Sequence, residues 1–235
     1  MSLCQGVIAA TIFAMAPLPA SAQALTPAQQ AIVPIAAATA NGDMPQLNAA
    51  LNQGLDAGLT VSDAKEVIVQ LYAYAGFPRS LNALGEMMKV MDARTQRGIK
   101  DAAGRSPSQP LPVGKELIAL GTANQTKLAG APVRGPLFEF APQADEYLKS
   151  HLFGDIFGRD NLDWQIRELA TVSALAAMSG VESQLQSHIR FSLNTGLTGV
   201  QLRQLADVLA ERGQPQAAQR ARAAIQQVLP PGQGN

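Results

Sequence analysis

The sequence predicts an all-α protein built from two fused three-helix repeats, and three observations carry that prediction. Runs of β-branched and aromatic residues with period-two alternation hardly occur in the 235 residues. Ala, Leu, Gln and Glu at helical spacing fill most of the chain instead. The chain is also self-similar: Leu47 to Thr60 (LNAALNQGLDAGLT) lies over Leu185 to Thr198 (LQSHIRFSLNTGLT) at an offset of 138, and Leu25 to Ala40 lies over Leu162 to Ala177 at 137.

The helices predicted in the first copy are Pro27 to Asn41, Met44 to Ala57, Ser62 to Tyr74 and Pro78 to Thr95. Pro27 and Pro78 stand at first helical positions, where a missing N–H is no loss, and Gly42, Gly58 and Gly76 punctuate the turns. Lys115 to Leu128 and Ala141 to Phe157 follow, and the second copy continues with Asp163 to Met178, Val181 to Thr195, Gly199 to Arg212 and Pro215 to Val228. Between the copies, residues 94–115 (RTQRGIKDAAGRSPSQPLPVGK) are rich in Gly, Pro, Ser and charge with no sustained apolar period, which predicts a surface connector. The resulting division is a first repeat over 23–93, a linker over 94–115, a second repeat over 116–229 and a disordered tail over 230–235.

Composition narrows the function classes. Lys plus Arg and Asp plus Glu balance at 18 each with no basic run, so nucleic acid is not an expected partner. Residues 1–22 read as a secretory signal, with an apolar run from Val7 to Met15, Pro17 and Pro19 as breakers, and Ala20-Ser21-Ala22 as the cleavage motif, although no Lys or Arg precedes the run. Cleavage would leave Gln23 first and place the protein in the periplasm or outside the cell. No segment approaches the ~20 apolar residues of a membrane span. Cys4 is the only cysteine, so the cleaved chain would hold no thiol for disulfide, nucleophilic or redox chemistry.

The polar residues that stand out lie in the second copy. Glu168 shares a helical stripe with Val172 and Leu175, and His188 lies on the stripe of Leu185 and Ser192. Their helices meet at Ser179-Gly180 and should run antiparallel, with Cα levels offset by roughly 6 Å, a spacing that suits a bridging water or small substrate better than a direct hydrogen bond. The repeat alignment places Ala31 opposite Glu168 and Ala50 opposite His188, so the first copy lacks the pair. The bland alternatives are a partly solvated first-turn glutamate and a hydrogen-bonded core histidine. Glu182, in Ser179-Gly180-Val181-Glu182, fits a capping box, and His151 reads as a surface residue. Two histidines supply no metal-ligand spacing, and neither a nucleophile elbow nor a glycine-rich phosphate loop occurs.

The pattern Arg167-Glu168-Leu169, the Ala-rich run, Gly180, Glu182, Leu185, His188-Ile189-Arg190, Asn194, Gly196 and Thr198 resembles the carboxymuconolactone decarboxylase family, which includes the alkylhydroperoxidase D-like proteins. Upstream, FGDIFGRDNLD (Phe153 to Asp163) is similar to that family's W-G-E-V-W-x-R-x-x-L-D segment, with Phe153 and Phe157 for the tryptophans and Asp155 for the glutamate. The match is good over roughly residues 145 to 212 and weaker in the first copy, where YAYAGFPRSLNAL (Tyr72 to Leu84) carries it.

The resemblance implies the alkylhydroperoxidase D-like helical fold and one of two chemistries. The peroxidase branch uses a Cys-x-x-Cys ahead of the histidine, where this chain has Val181 and Gln184, so an alkylhydroperoxidase-like oxidoreductase is disfavoured. The decarboxylase branch implies decarboxylation or proton transfer, without a cofactor or metal, on a small carboxylated lactone-like compound. His188 would then serve as general acid or enolate donor and Glu168 would set its protonation state. Arg159, Arg167 and Arg190 would anchor carboxylates, the alternative for Arg167 and Arg190 being surface ion pairing. The family also implies a homotrimer of six quasi-equivalent units with three intact sites. A non-catalytic protein that binds a small acid or acts as a scaffold is the remaining class.

Overall fold

Ala31 to Ala40 are all buried in the first long helix, α1 (Pro27–Asn41), whose run of alanines and Thr39 offers small side chains on every face. A helix apolar all round must lie inside the molecule. Its counterpart α9 (Trp164–Ala177) is buried from Arg167 to Ala176, and the two pack against each other as the centre of the main core. The computed structural model describes residues 24–229, so the expected signal segment and tail lie outside the described residues.

Around α1 the first copy adds α2 (Met44–Asp56), α3 (Val61–Gln70), the single turn α4 (Tyr72–Ala75) and α5 (Phe77–Gln96). Around α9 the second copy adds α10 (Glu182–Asn194), α11 (Gly199–Glu211) and α12 (Pro215–Val228). The three aligned helices of each copy recur in the same order, and a further helix, α5 or α12, closes each unit. The duplication extends to the caps: Thr60 accepts from the Asp63 backbone N–H at the start of α3, and Thr198 accepts from that of Gln201 at the start of α11. Among the described residues there is no strand, and no helix is long and apolar enough to cross a membrane.

Departures from the expected elements have local causes. The helix expected over 62–74 breaks at Leu71, and the turn α4 ends at Gly76, whose φ of 87° lies where side chains are disfavoured. The helix expected over 141–157 is instead α8 (Pro142–Tyr147) followed by a π-helical stretch, Leu148–Ile156, preceded by a short α7 (Pro136–Phe140) that the sequence reading left out. Widening to a π-helix accompanies close backbone packing on α6 (Lys115–Ala129): a Cβ on Gly121 would sit 1.6 Å from the Lys149 carbonyl oxygen. Leu152, Phe153 and Ile156 of this stretch form a second, smaller core with Phe157 just beyond it and Leu128 of α6.

The stretch between α5, which runs through to Gln96, and α6 is exposed over most of its length and is fastened at several points. Val61 and Ser62 donate backbone N–H groups to the Ala102 and Ala103 carbonyls, and buried Arg94 holds Asp101 at 2.7 Å and Asp56 at 2.8 Å. At the start of α10 the capping box is half formed. Glu182 accepts from the Gly180 N–H at 3.1 Å, but the N-cap position falls on Val181, too late for Ser179 to reach the third helical N–H.

Candidate functional site

Glu168 lies in the second turn of α9 and is fully buried, and His188 of α10 is 7% exposed. The structure brings them into direct contact: His188 Nδ1 and Glu168 Oε2 are 2.8 Å apart. An ionised carboxylate can only accept, so Nδ1–H donates and the ring's lone pair is left on Nε2. This corrects the expectation of a gap filled by water or substrate. α9 ends at Ala177 and α10 begins at Glu182, which leaves the two residues nine and six positions from their helix ends. The axial offset is then about 4.5 Å, a distance that the two methylenes of the glutamate and the imidazole bridge together.

The imidazole is held by rings as well as by the carboxylate. Phe191 meets it edge-on with centroids 5.0 Å apart, and Tyr74 of α4 does so at 5.3 Å and 82°. Tyr74 belongs to the first copy, so the site is shared between the repeats. Glu168 Oε1 and the Tyr74 hydroxyl are both buried without a hydrogen-bond partner. Burial, reinforced by the negative charge of Glu168, pushes the Tyr74 phenol far above its ordinary range, so it stays protonated. In the first copy Ala31 and Ala50 occupy the matching positions as buried, apolar core residues.

The three arginines divide differently from the pair. Arg167, 0% exposed, places Nη2 2.9 Å from Glu66 Oε1 and 3.1 Å from the Arg159 carbonyl, and Nη1 3.2 Å from Gln70 Oε1. Arg159 grips the same Glu66 with Nε at 2.7 Å and Nη2 at 3.0 Å, and Asn161 adds a third donor at 3.1 Å. Burial alone would raise the Glu66 carboxyl, but hydrogen bonds from Arg159, Asn161 and Arg167 outweigh it and hold the pKa down to about 2. Arg167 is therefore in a buried ion pair rather than a surface one, and Arg159 meets it on one carboxylate. Arg190 stands apart on the exposed side of α10, with no ion pair among the described residues.

Five residues of this arrangement escaped sequence reasoning: Glu66, Gln70 and Tyr74 in the first copy, and Asn161 and Phe191 in the second. Glu66 and Gln70 do leave a trace, as two polar residues one turn apart beside Val67 and Ile68 in an apolar stretch. His151, by contrast, is half-exposed as expected and pairs with Asp155 one turn on, at 2.6 Å. A cleft of about 420 Å³ opens beside Arg159, lined by Lys127, Phe157, Asp160 and Trp164 among others, with Lys127 Nζ 4.8 Å from the Trp164 ring centre. It does not include Glu168 or His188.

Chemically, the pair offers an imidazole whose far nitrogen can take or give a proton while the buried carboxylate fixes the ring and balances the charge of its protonated form. Val181 and Gln184 stand ahead of the histidine, and no thiol adjoins it among the described residues. No curated protein shows a significant match to the chain. The Carboxymuconolactone decarboxylase family model matches residues 8–87 and 142–227, taking in both copies and beginning inside the expected signal segment. With both repeats matched over most of the sequence and an all-α duplicated fold beneath them, this chain belongs to the carboxymuconolactone decarboxylase family.

Proposed function

We propose that the protein catalyses decarboxylation or proton transfer on a small carboxylated lactone-like compound, with one working site in each chain. The observation that carries this reading is the buried contact of His188 Nδ1 with Glu168 at 2.8 Å, which leaves the opposite ring nitrogen uncommitted among the described residues. In the decarboxylation, the bond between a ring carbon and its carboxylate breaks and CO2 leaves. The electron pair passes through the ring double bond to the lactone carbonyl oxygen. Protonated His188 returns a proton to carbon from Nε2, and Glu168 stabilises the imidazolium until that moment. Arg159 is the accessible cation for the substrate's remaining carboxylate, because its side chain is 39% exposed whereas that of Arg167 is fully enclosed.

The test is CO2 release from γ-carboxymuconolactone by the wild type, Glu168→Gln and His188→Ala, with a melting curve for each. Loss of turnover in both variants without loss of folding is the expected result. Turnover that survives in a destabilised His188→Ala would show the pair to be structural.

Two further features belong to the proposal. The protein acts outside the cytoplasm after cleavage behind Ala22, so the mature form should have the mass of a chain starting at Gln23; retention of Cys4 would contradict this. It also assembles as a homotrimer, supported by the stripe of Phe77, Leu81 and Met88 on α5, which are 59%, 60% and 67% exposed. Light scattering should read three chains, and a monomer at micromolar concentration would rule the trimer out.

A further inference from the structure

Two atoms beside His188 have no role in that chemistry as written. Glu168 uses Oε2 on the imidazole, and Oε1 is buried without a partner. The Tyr74 hydroxyl is also buried and makes no hydrogen bond within ordinary geometry among the described residues. Buried polar groups in native structures are nearly always hydrogen-bonded, so the unpaired donor beside the imidazole calls for an acceptor. A ligand oxygen that accepts from the Tyr74 hydroxyl accounts for the donor.

We propose that Tyr74, contributed by the first repeat, is the donor that holds the lactone carbonyl oxygen of the substrate in the second repeat's site. This rests on the lactone reading of the Glu168–His188 pair and names the group that receives the developing charge. The oxygen that becomes anionic when CO2 departs needs a donor already in place. Tyr74 meets that need on three counts. Its ring stands edge-on to His188 with centroids 5.3 Å apart, so donor and acid are immediate neighbours. Its hydroxyl is shielded from water, where a hydrogen bond to a developing anion is worth most. Its proton is secure, because the buried phenol and the adjacent Glu168 charge disfavour the phenolate.

The position of Tyr74 is also rigid. Gln70, at the end of α3, donates from Nε2 to the Arg167 carbonyl and to Thr171 Oγ1, each at 2.8 Å, which clamps the chain one turn before Tyr74 onto α9. Thr171 in turn donates to the Arg167 carbonyl at 2.9 Å and accepts from Gln70 Nε2 at 2.8 Å, so it is engaged both as donor and as acceptor. The first copy has no Glu–His pair of its own but contributes this part to its neighbour's site.

The experiment compares wild type, Tyr74→Phe and Tyr72→Phe. Tyr72 is the control: it lies on the same turn with a buried, unpartnered hydroxyl of its own, but its ring neighbours His151 rather than His188. The probe is tetronic acid, whose anion carries delocalised negative oxygen on a five-membered lactone ring, with affinity read by calorimetry and folding by thermal melting. Tyr74→Phe should melt no lower than wild type, since it removes an unpaired buried hydroxyl, yet bind tetronate at least tenfold more weakly. Tyr72→Phe should bind as wild type does. With γ-carboxymuconolactone, Tyr74→Phe should lower kcat ten- to a hundredfold and leave KM within a factor of about three. Equal tetronate affinity in Tyr74→Phe and wild type, equal losses in both variants, or no tetronate binding by the wild type would each overturn the assignment of Tyr74. Absence of lactone turnover in the wild type, with tetronate binding that depends on Tyr74, would overturn the decarboxylase reading alone and leave Tyr74 as an oxygen-anion donor.

Discussion

Replacing Glu66 by Gln tests whether the two repeats are joined by charge. Glu66, on α3 of the first copy, is 5% exposed and receives hydrogen bonds from Arg159, Asn161 and Arg167 of the second. Its partner Arg167 is completely enclosed, and its Nε already lacks a partner. Removing the one carboxylate leaves a buried guanidinium without a counter-charge, a change that costs roughly 3–5 kcal/mol. The depressed pKa gives a second figure: a shift from 4.5 to about 2 corresponds to about 3 kcal/mol. The two routes agree, and the pH dependence separates them from a simple packing loss.

The sign follows from the folded carboxyl titrating below the unfolded one. Its stabilisation is fully present above pH 4.5 and is lost as the pH falls through 4.5 towards 2. Urea unfolding of wild type and Glu66→Gln should therefore differ by about 3 kcal/mol at pH 7, with the gap closing as the pH falls below 4. A gap that is constant with pH, or a variant as stable as wild type at pH 7, would refute the account. Glu66→Met combined with Arg167→Met should recover part of the loss, because two apolar side chains of similar volume need no counter-charge.

Other expectations follow from particular contacts. Gly121→Ala would drive a methyl into the Lys149 carbonyl, 1.6 Å away, so α6 should detach from the π-helical stretch, with a loss of at least 1–3 kcal/mol and faster amide exchange over residues 115–129. Unchanged exchange there would show that the two segments are not docked as described. Installing Ala31→Glu with Ala50→His should lower stability by several kcal/mol without adding a second site, since the Ala31 methyl already lies 3.2 Å from where a Cβ on Gly54 would stand. A doubly substituted protein that melts like wild type would mean the first copy still has room for the pair.

Much of the fold was legible because duplication and helical spacing are local, additive signals. α1 and α12 fall on their predicted bounds, and Ala31 and Ala50 are buried alanines where the alignment placed them opposite the polar pair. Glu168 and His188 stood out because a charged and an ionisable side chain interrupt apolar stripes on adjacent helices. Their direct contact was misread because it depends on where α9 stops and α10 starts, and helix ends are set by a few caps rather than by the periodicity. Glu66 and Tyr74 were missed for a different reason. Each looks ordinary within its own copy and acquires a role only against residues of the second, roughly a hundred positions away in sequence, and no local pattern encodes that pairing. The π-helical stretch depends likewise on α6 pressing Gly121 against its backbone, a tertiary contact that helical propensity cannot report.

The same alignment shows why the joint between the copies is charged on only one side. An offset of 138 carries Glu66 onto Gln204, and 137 carries Gln30 onto Arg167. Where Glu66 reaches across to the residues that lead into α9, Gln204 of α11 reaches across to those that lead into α1, accepting the Leu25 N–H at 2.7 Å, while Gln30 donates to the Leu25 carbonyl at 2.9 Å. Each copy thus braces the entry to the other's central helix with the same helix of its own. The brace beside the alanines is built from neutral amides, and the brace beside Glu168 is built from ions. An amide brace suffices where the core behind it is dry and apolar. On the other side, the helix that carries Arg167 also carries the carboxylate of the site, and the Arg167–Glu66–Arg159 cluster fixes α9 one residue from Glu168. The clamp at Gln70 fixes Tyr74 from the opposite repeat. The first copy has no acid and base of its own, and what it contributes is the bracing that holds the second copy's pair in register.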